Sequence, residues 1–135
     1  MKAEAPFSLK YTHCHTVNES EIDDLNHVNN VVYLQWINDI SALHWNAIAT
    51  KALKEKYVWV AIRHEIDYLQ SAILNDNLEI HTWIESLKGV KSIRVVHVYR
   101  GDTLLAKSKT TWCLLDAKTN KITRITPEME KIWEK

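Results

Sequence analysis

With 135 residues, 46 % of them apolar and 25 % charged, the chain has the make-up of a soluble globular protein with core enough for one domain, spanning 1–135, and too little for two. Its 17 basic and 17 acidic side chains cancel and neither sign forms a block, which removes the electrostatic footprint of a nucleic-acid binder or of a protein held on an anionic membrane. No apolar run has signal-peptide length or nears the roughly 18 residues that span a bilayer, so a cytoplasmic location is expected.

In chain order, FSLKYTHCHTV (7–17) mixes aromatic, β-branched and polar residues as a strand does. SEIDDLNHVNN follows as a polar segment. From about 29 to 50, Tyr33, Trp36, Ile37, Ile40, Leu43, Ala47 and Ile48 recur at three and four, the period of a helix with one buried face. Lys51, Lys54 and Lys56 are expected at its carbonyl end. The period then changes to two. In YVWVAIRHEIDYL (57–69), Val58, Val60, Ile62, Ile66 and Tyr68 are expected on one face of a strand, with Arg63, Glu65 and Asp67 on the other. Further strands are predicted at 78–87, 90–100 and 103–115, separated by turns at Lys88–Gly89 and Gly101–Asp102. Pro127 opens a short terminal helix. Connections this short require antiparallel neighbours, so the fold class is α+β: a five-stranded antiparallel sheet and one long helix. One helix cannot cover both faces of such a sheet. The remaining apolar surface, including six tryptophans, is expected to be hidden against another copy of the chain.

The segment SEIDDLNHVNNVVY resembles the loop of the hot-dog-fold acyl thioesterases, the 4-hydroxybenzoyl-CoA thioesterase group and the short bacterial acyl-CoA thioesterases. That family's loop runs approximately Asp/Glu-x-Asp-x-x-Gly-His-Val-Asn-Asn-x-x-Tyr. Glu21, Asp23, His27, Val28, Asn29, Asn30 and Tyr33 stand at this spacing. The family glycine is replaced by Asn26, which among non-glycine residues enters left-handed backbone most readily. The longer Glu21 stands where the 4-hydroxybenzoyl-CoA branch has its catalytic aspartate. The segment is also similar to the loop of plant-type acyl-carrier-protein thioesterases. Asp23 and His27 match there, Leu25 replaces an asparagine, and YLQSA (68–72) lacks that branch's later acidic residue and cysteine. The resemblance implies a hot-dog domain, its sheet wrapped around the helix, that hydrolyses an acyl-CoA or an acyl-ACP. It also implies a homodimer joined edge to edge, and a tetramer of two such dimers.

A thioester loses its thiolate readily, so hydrolysis needs only a carboxylate to attack or to activate water, and donors fixed where the oxyanion forms. The segment offers both. Glu21 and Asp23 are the candidate base or nucleophile, and as close neighbours one of them is expected to have a raised pKa. His27 is the candidate orienting group, and Asn30 shapes the helix start. Backbone amides among residues 27–30 are the candidate oxyanion donors at the positive end of the helix. No metal or redox cofactor is required, CoA being part of the substrate.

Other readings compete. Acids and asparagines before a helix also serve as caps, and a catalytically silent acyl-thioester-binding or scaffold hot-dog protein would keep the same fold. The hot-dog dehydratases are a further rival, but their histidine lies in glycine- and proline-rich motifs that this chain lacks. His13 and His15 point one way along a strand and Cys14 the other, so no zinc set forms there. His64, His81 and His97 are expected on adjacent strands as sheet residues. Cys14 and Cys113 read as reduced packing residues. Trp36 and Trp59 are candidates for lining an acyl tunnel, and Trp45, Trp83 and Trp112 for core or subunit contacts. Lys88, Lys91 and Arg94 are candidates for the CoA phosphates, though solvated strand ends would explain them equally.

Overall fold

The apolar spacing after residue 29 folds into helix α1, Asn30–Ile48. The computed structural model describes residues 10–134. Asn29 caps α1, its side chain accepting from the Val31 amide at 3.1 Å. Tyr33, Trp36, Ile37, Ile40, Ser41 and His44 form the buried stripe. Leu43 and Ala47, expected on that stripe, are exposed. Leu43 lies at its edge by helical rotation, and Ala47 sits in the last turn, past Ile40, the final helical member of the main core cluster. The helix also stops earlier than the periodicity suggests. Ala49 is extended, and Thr50 caps a separate helix α2 (Lys51–Lys56) by accepting from the Leu53 amide at 3.1 Å. The three lysines therefore belong to α2.

Five strands, β1 (Tyr11–Thr16), β2 (Tyr57–Tyr68), β3 (Asn77–Lys88), β4 (Lys91–Arg100) and β5 (Thr103–Asp116), form one antiparallel sheet in the order β1-β3-β4-β5-β2. Residues 7–9 of the expected first strand lie outside the described residues. Gly89 and Gly101 take the left-handed conformation, φ 65° and 60°, that these two tight hairpin turns require. A last helix, α3 (Pro127–Lys131), starts at Thr126, whose hydroxyl accepts from the Met129 amide.

Leu78, Ile80, Val96, Val98 and Ala106 on the inner face of the sheet pack with Tyr33, Trp36, Ile37 and Ile40. A second cluster gathers Leu53, Tyr57, Leu114 and Met129, with Trp45 and Trp59 against it. On the outer face Trp83 and Tyr99 are buried, and His97 lies between them, so part of the aromatic surplus is absorbed within the chain. The alternation expected in β2 breaks at a bulge. Ala61 pairs with Trp112 and Arg63 with Thr111, leaving Ile62 as an extra residue. Val58 and Val60 consequently share the outer face with Arg63, Glu65 and Asp67, while Tyr57, Trp59, Ala61, His64, Ile66 and Tyr68 look inward.

Candidate functional site

The β1–α1 loop is anchored at Glu21. Asn18 and Glu21 form a capping box around the one-turn 3₁₀ helix Glu19–Glu21, with the Asn18 amide donating to Glu21 Oε1 at 3.0 Å. The same oxygen meets His15 Nε2 at 2.8 Å, and Oε2 accepts from Trp36 Nε1 at 2.9 Å. The Glu21 carbonyl accepts from the Asn29 amide at 2.9 Å. One residue thus ties β1, the loop and α1 together. Burial pushes the Glu21 carboxyl upward, but the bonds from Asn18, His15 and Trp36 and the charge of His15 outweigh it, and the net pKa lies below the usual carboxylate value. The raised acid expected of a coupled pair is therefore not Glu21.

Asp23 lies on a different cavity. Its Oδ1 accepts from the amides of Leu25, 2.9 Å, and His27, 3.2 Å, and its own amide donates to the His27 carbonyl at 2.8 Å. Asn26 closes this turn with φ 63°, the left-handed conformation anticipated for the residue in the glycine position. Among the described residues nothing donates to Asp23 Oδ2.

The amides of residues 27–30 are mostly consumed. His27 donates to Asp23, Val28 to the Ala72 carbonyl at 2.9 Å and Asn29 to Glu21. Among the described residues only the Asn30 amide of that set lacks an acceptor, because it opens α1 and has no carbonyl one turn earlier.

Asp23, His27, Asn29 and Asn30 line a cavity of about 400 Å³ that is closed across from α1 by Tyr68 and Ser71. Ser71 Oγ meets His27 Nδ1 at 3.3 Å, and the Tyr68 hydroxyl donates to the Asn30 carbonyl at 3.2 Å. The Tyr33 hydroxyl beneath them accepts from the Ala72 amide at 3.2 Å. Burial raises the Tyr33 pKa and outweighs the opposing Ala72 bond, so it stays a neutral phenol. The structure thus brings together Asp23, His27 and Asn30 of the sequence candidates and leaves Glu21 in a smaller cavity of about 100 Å³ with His13, His15 and Trp36. Tyr68 and Ser71 carried no sequence signal as site residues. They arrive through the β2 register and the bridge between His27 and Ile73, which pairs distant segments.

The remaining candidates separate. Trp36 contacts Glu21, whereas Trp59 belongs to a distant aromatic chain in which Trp45 lies 6.1 Å from both Trp59 and Trp133. His81 pairs with His97 on the outer face, while His64 looks inward and bonds Thr110 at 2.8 Å. Cys14 and Cys113 are both free. Arg94 is no surface phosphate ligand: it is 4 % exposed, on the inner face of β4.

The family model of the acyl-ACP thioesterase N-terminal domain matches residues 8–133. Among curated proteins none matches the sequence. Three solved structures share the fold at low identity. The probable thioesterase YbaW from Escherichia coli is 22 % identical, with 91 % of this chain and 96 % of that one covered at a TM-score of 0.78. A predicted thioesterase from Bacillus stearothermophilus is 18 % identical, covering 93 % and 94 % at 0.83. The protein SAV2348 from Staphylococcus aureus, solved in complex with CoA, is 18 % identical, covering 96 % and 85 % at 0.82. The sheet order, the long helix and a match over nearly the whole sequence lead to one assignment: the chain has the hot-dog fold and belongs to the acyl-ACP thioesterase N-terminal domain family.

Proposed function

We propose that the protein hydrolyses acyl thioesters, acyl-CoA or acyl-ACP, in the cavity between the β1–α1 loop and the end of β2. The observation that carries this reading is that Asp23 and Asn30 line one cavity at the positive end of α1, where among the described residues Asp23 Oδ2 has no donor and the Asn30 amide no acceptor. In this reading Asp23 takes a proton from water as the water oxygen bonds to the carbonyl carbon. The Asn30 amide receives the negative charge on the carbonyl oxygen, and the carbon–sulfur bond breaks to release thiolate. His27, held by Ser71, orients the reacting groups, and the Asn30 side chain shapes the cavity mouth. Glu21 holds the loop.

The same reading includes a homodimer, with pairs of dimers forming a tetramer. β2 is an edge strand of 12 residues with Val58, Val60 and Ile62 exposed, and edge pairing would cover it. Asp23→Asn keeps the Oδ1 acceptor and removes the base. In a thiol-release assay over acyl-CoA and acyl-ACP substrates, kcat is expected to fall about 100-fold or more while the unfolding free energy stays within about 1 kcal/mol of wild type. Wild-type turnover in both Asp23→Ala and Glu21→Ala would overturn the site.

A further inference from the structure

A second cavity, of about 310 Å³, lies between the second half of α1, the start of β2 and Trp133, which follows α3. Counted along α1, Ala42 on its wall is about 18 Å from Asn30 at 1.5 Å per residue. Trp45, Trp59, Trp112 and Trp133 line it, together with Arg94 and Lys54. Arg94 Nη1 donates to His44 Nδ1 and to Thr82 Oγ1, each at 2.9 Å, and its guanidinium lies 5.3 Å from the Trp133 ring centroid. Among the described residues no carboxylate pairs with it. A buried cation without a counter-ion is costly, and arginine does not escape by losing its proton. Burial lowers Arg94 only to about 9, which leaves it charged at neutral pH.

Because Arg94 can only donate, His44 Nδ1 must accept, so the proton of the neutral ring sits on Nε2. Among the described residues, His44 Nε2, Trp112 Nε1 and Trp133 Nε1 are all buried without a partner. Two of them, the indoles, belong to residues that line the cavity. A pocket that holds a fixed cation without a counter-ion, with N–H groups lacking acceptors in the residues of its wall, is matched by an acceptor that carries negative charge.

We propose that this cavity binds a small organic carboxylate with a flat or apolar body, the carboxylate received by Arg94 and the indole N–H groups of Trp112 and Trp133, the body packed on Trp45 and Trp59. The volume lies at the lower end for ligand pockets and suits a single-ring or short-chain acid, not a nucleotide. A free acid and the far end of a dicarboxylic acyl group present the same chemistry, and two experimental arms separate them.

In the first arm, benzoate, phenylacetate and hexanoate are titrated calorimetrically into the protein alongside their neutral amides. At least one acid is expected to bind once per chain, at least about tenfold tighter than its amide. Trp112→Phe, which keeps a ring and deletes one donor, should weaken that acid several-fold, and Arg94→Gln should abolish the preference for acid over amide. Equal binding of every acid and its amide, or no binding across the panel, overturns the proposal. So does a Trp112→Phe protein that binds the acid as wild type does. Should Arg94→Gln fail to fold, the wild-type preference and Trp112→Phe decide. The second arm rests on the thioesterase reading and compares kcat/KM for hexadecanedioyl-CoA and hexadecanoyl-CoA, whose chains are long enough to bridge the roughly 18 Å between Asn30 and the cavity wall. A preference for hexadecanedioyl-CoA that Trp112→Phe diminishes assigns the pocket to the acyl group, and a ratio indifferent to the substitution assigns it to a free acid. The titration involves no hydrolysis, so its failure and that of the thioesterase reading are distinguishable.

Discussion

Glu21 and Asp23 are two residues apart, yet their carboxylates do different work. Both Glu21 oxygens are committed to Asn18, His15 and Trp36, and its side chain is only 13 % exposed. Glu21→Ala leaves three donors without their acceptor and is expected to cost about 2–3 kcal/mol in urea denaturation. A variant of wild-type stability that had lost turnover would instead make Glu21 the reacting acid. The histidines carry a pH prediction. Burial, then the Arg94 charge, lowers His44 to about 3, while burial, then Lys107, His81 and Lys10, lowers His97 to about 4. Unfolded, both protonate near 6.5. The unfolded chain therefore binds more protons below that pH, and stability falls as pH drops from about 6.5 towards 4, by up to about 1.4 kcal/mol per unit for each ring. Above about 7 neither contributes a slope. Urea midpoints at pH 7.5 and 5.0 test this, and His97→Gln should lose less stability over that interval than wild type. An unchanged loss would remove His97 from the account.

The elements differ in how openly the sequence announces them. Strands β3, β4 and β5 are bounded by turn residues whose chemistry is local, and their predicted limits fall within about two residues of the observed ones. Helix α1 was equally legible at its start, where Asn29 caps it. Its end was not, because Ala49 and Thr50 break the helix through extended backbone and a side-chain cap, with neither glycine nor proline to mark the place. The bulge at Ile62 was hidden as well: VWVAIRHEI alternates acceptably until the register with β5 is known. In the loop the key residues were readable because capping and turn chemistry is local. What eluded the sequence is everything that arrives across the fold, namely the bonds of Glu21 to His15 and Trp36 and the approach of Ser71 to His27. The turn at Asn26 tests the local part. With φ 63°, Asn26→Gly should leave stability unchanged or slightly raised, and Asn26→Ala should cost about 1–2 kcal/mol in thermal or urea unfolding. Equal stability of the two variants would mean that the left-handed turn is unimportant.

For the whole molecule, the unpaired side of β2 is the feature that bears on assembly. Under the proposed edge pairing, Ala61→Pro blocks a strand partner through the lost N–H and the rigid ring, because the Ala61 amide lies on the side of β2 away from β5. Sedimentation should then shift from dimer to monomer. A wild type that sediments as a monomer, or an Ala61→Pro protein that remains a dimer, would exclude pairing through this edge.

The indole chain has an optical consequence. Trp45 stands 6.1 Å from Trp59 and 6.1 Å from Trp133, with ring planes at 89° and 27°. Transition dipoles this close couple, and coupled rings rotate polarised light as a lone ring does not. The folded protein will therefore carry a circular-dichroism band that belongs neither to helix nor to sheet, that distorts helix content read from the far ultraviolet, and that vanishes once the three rings part.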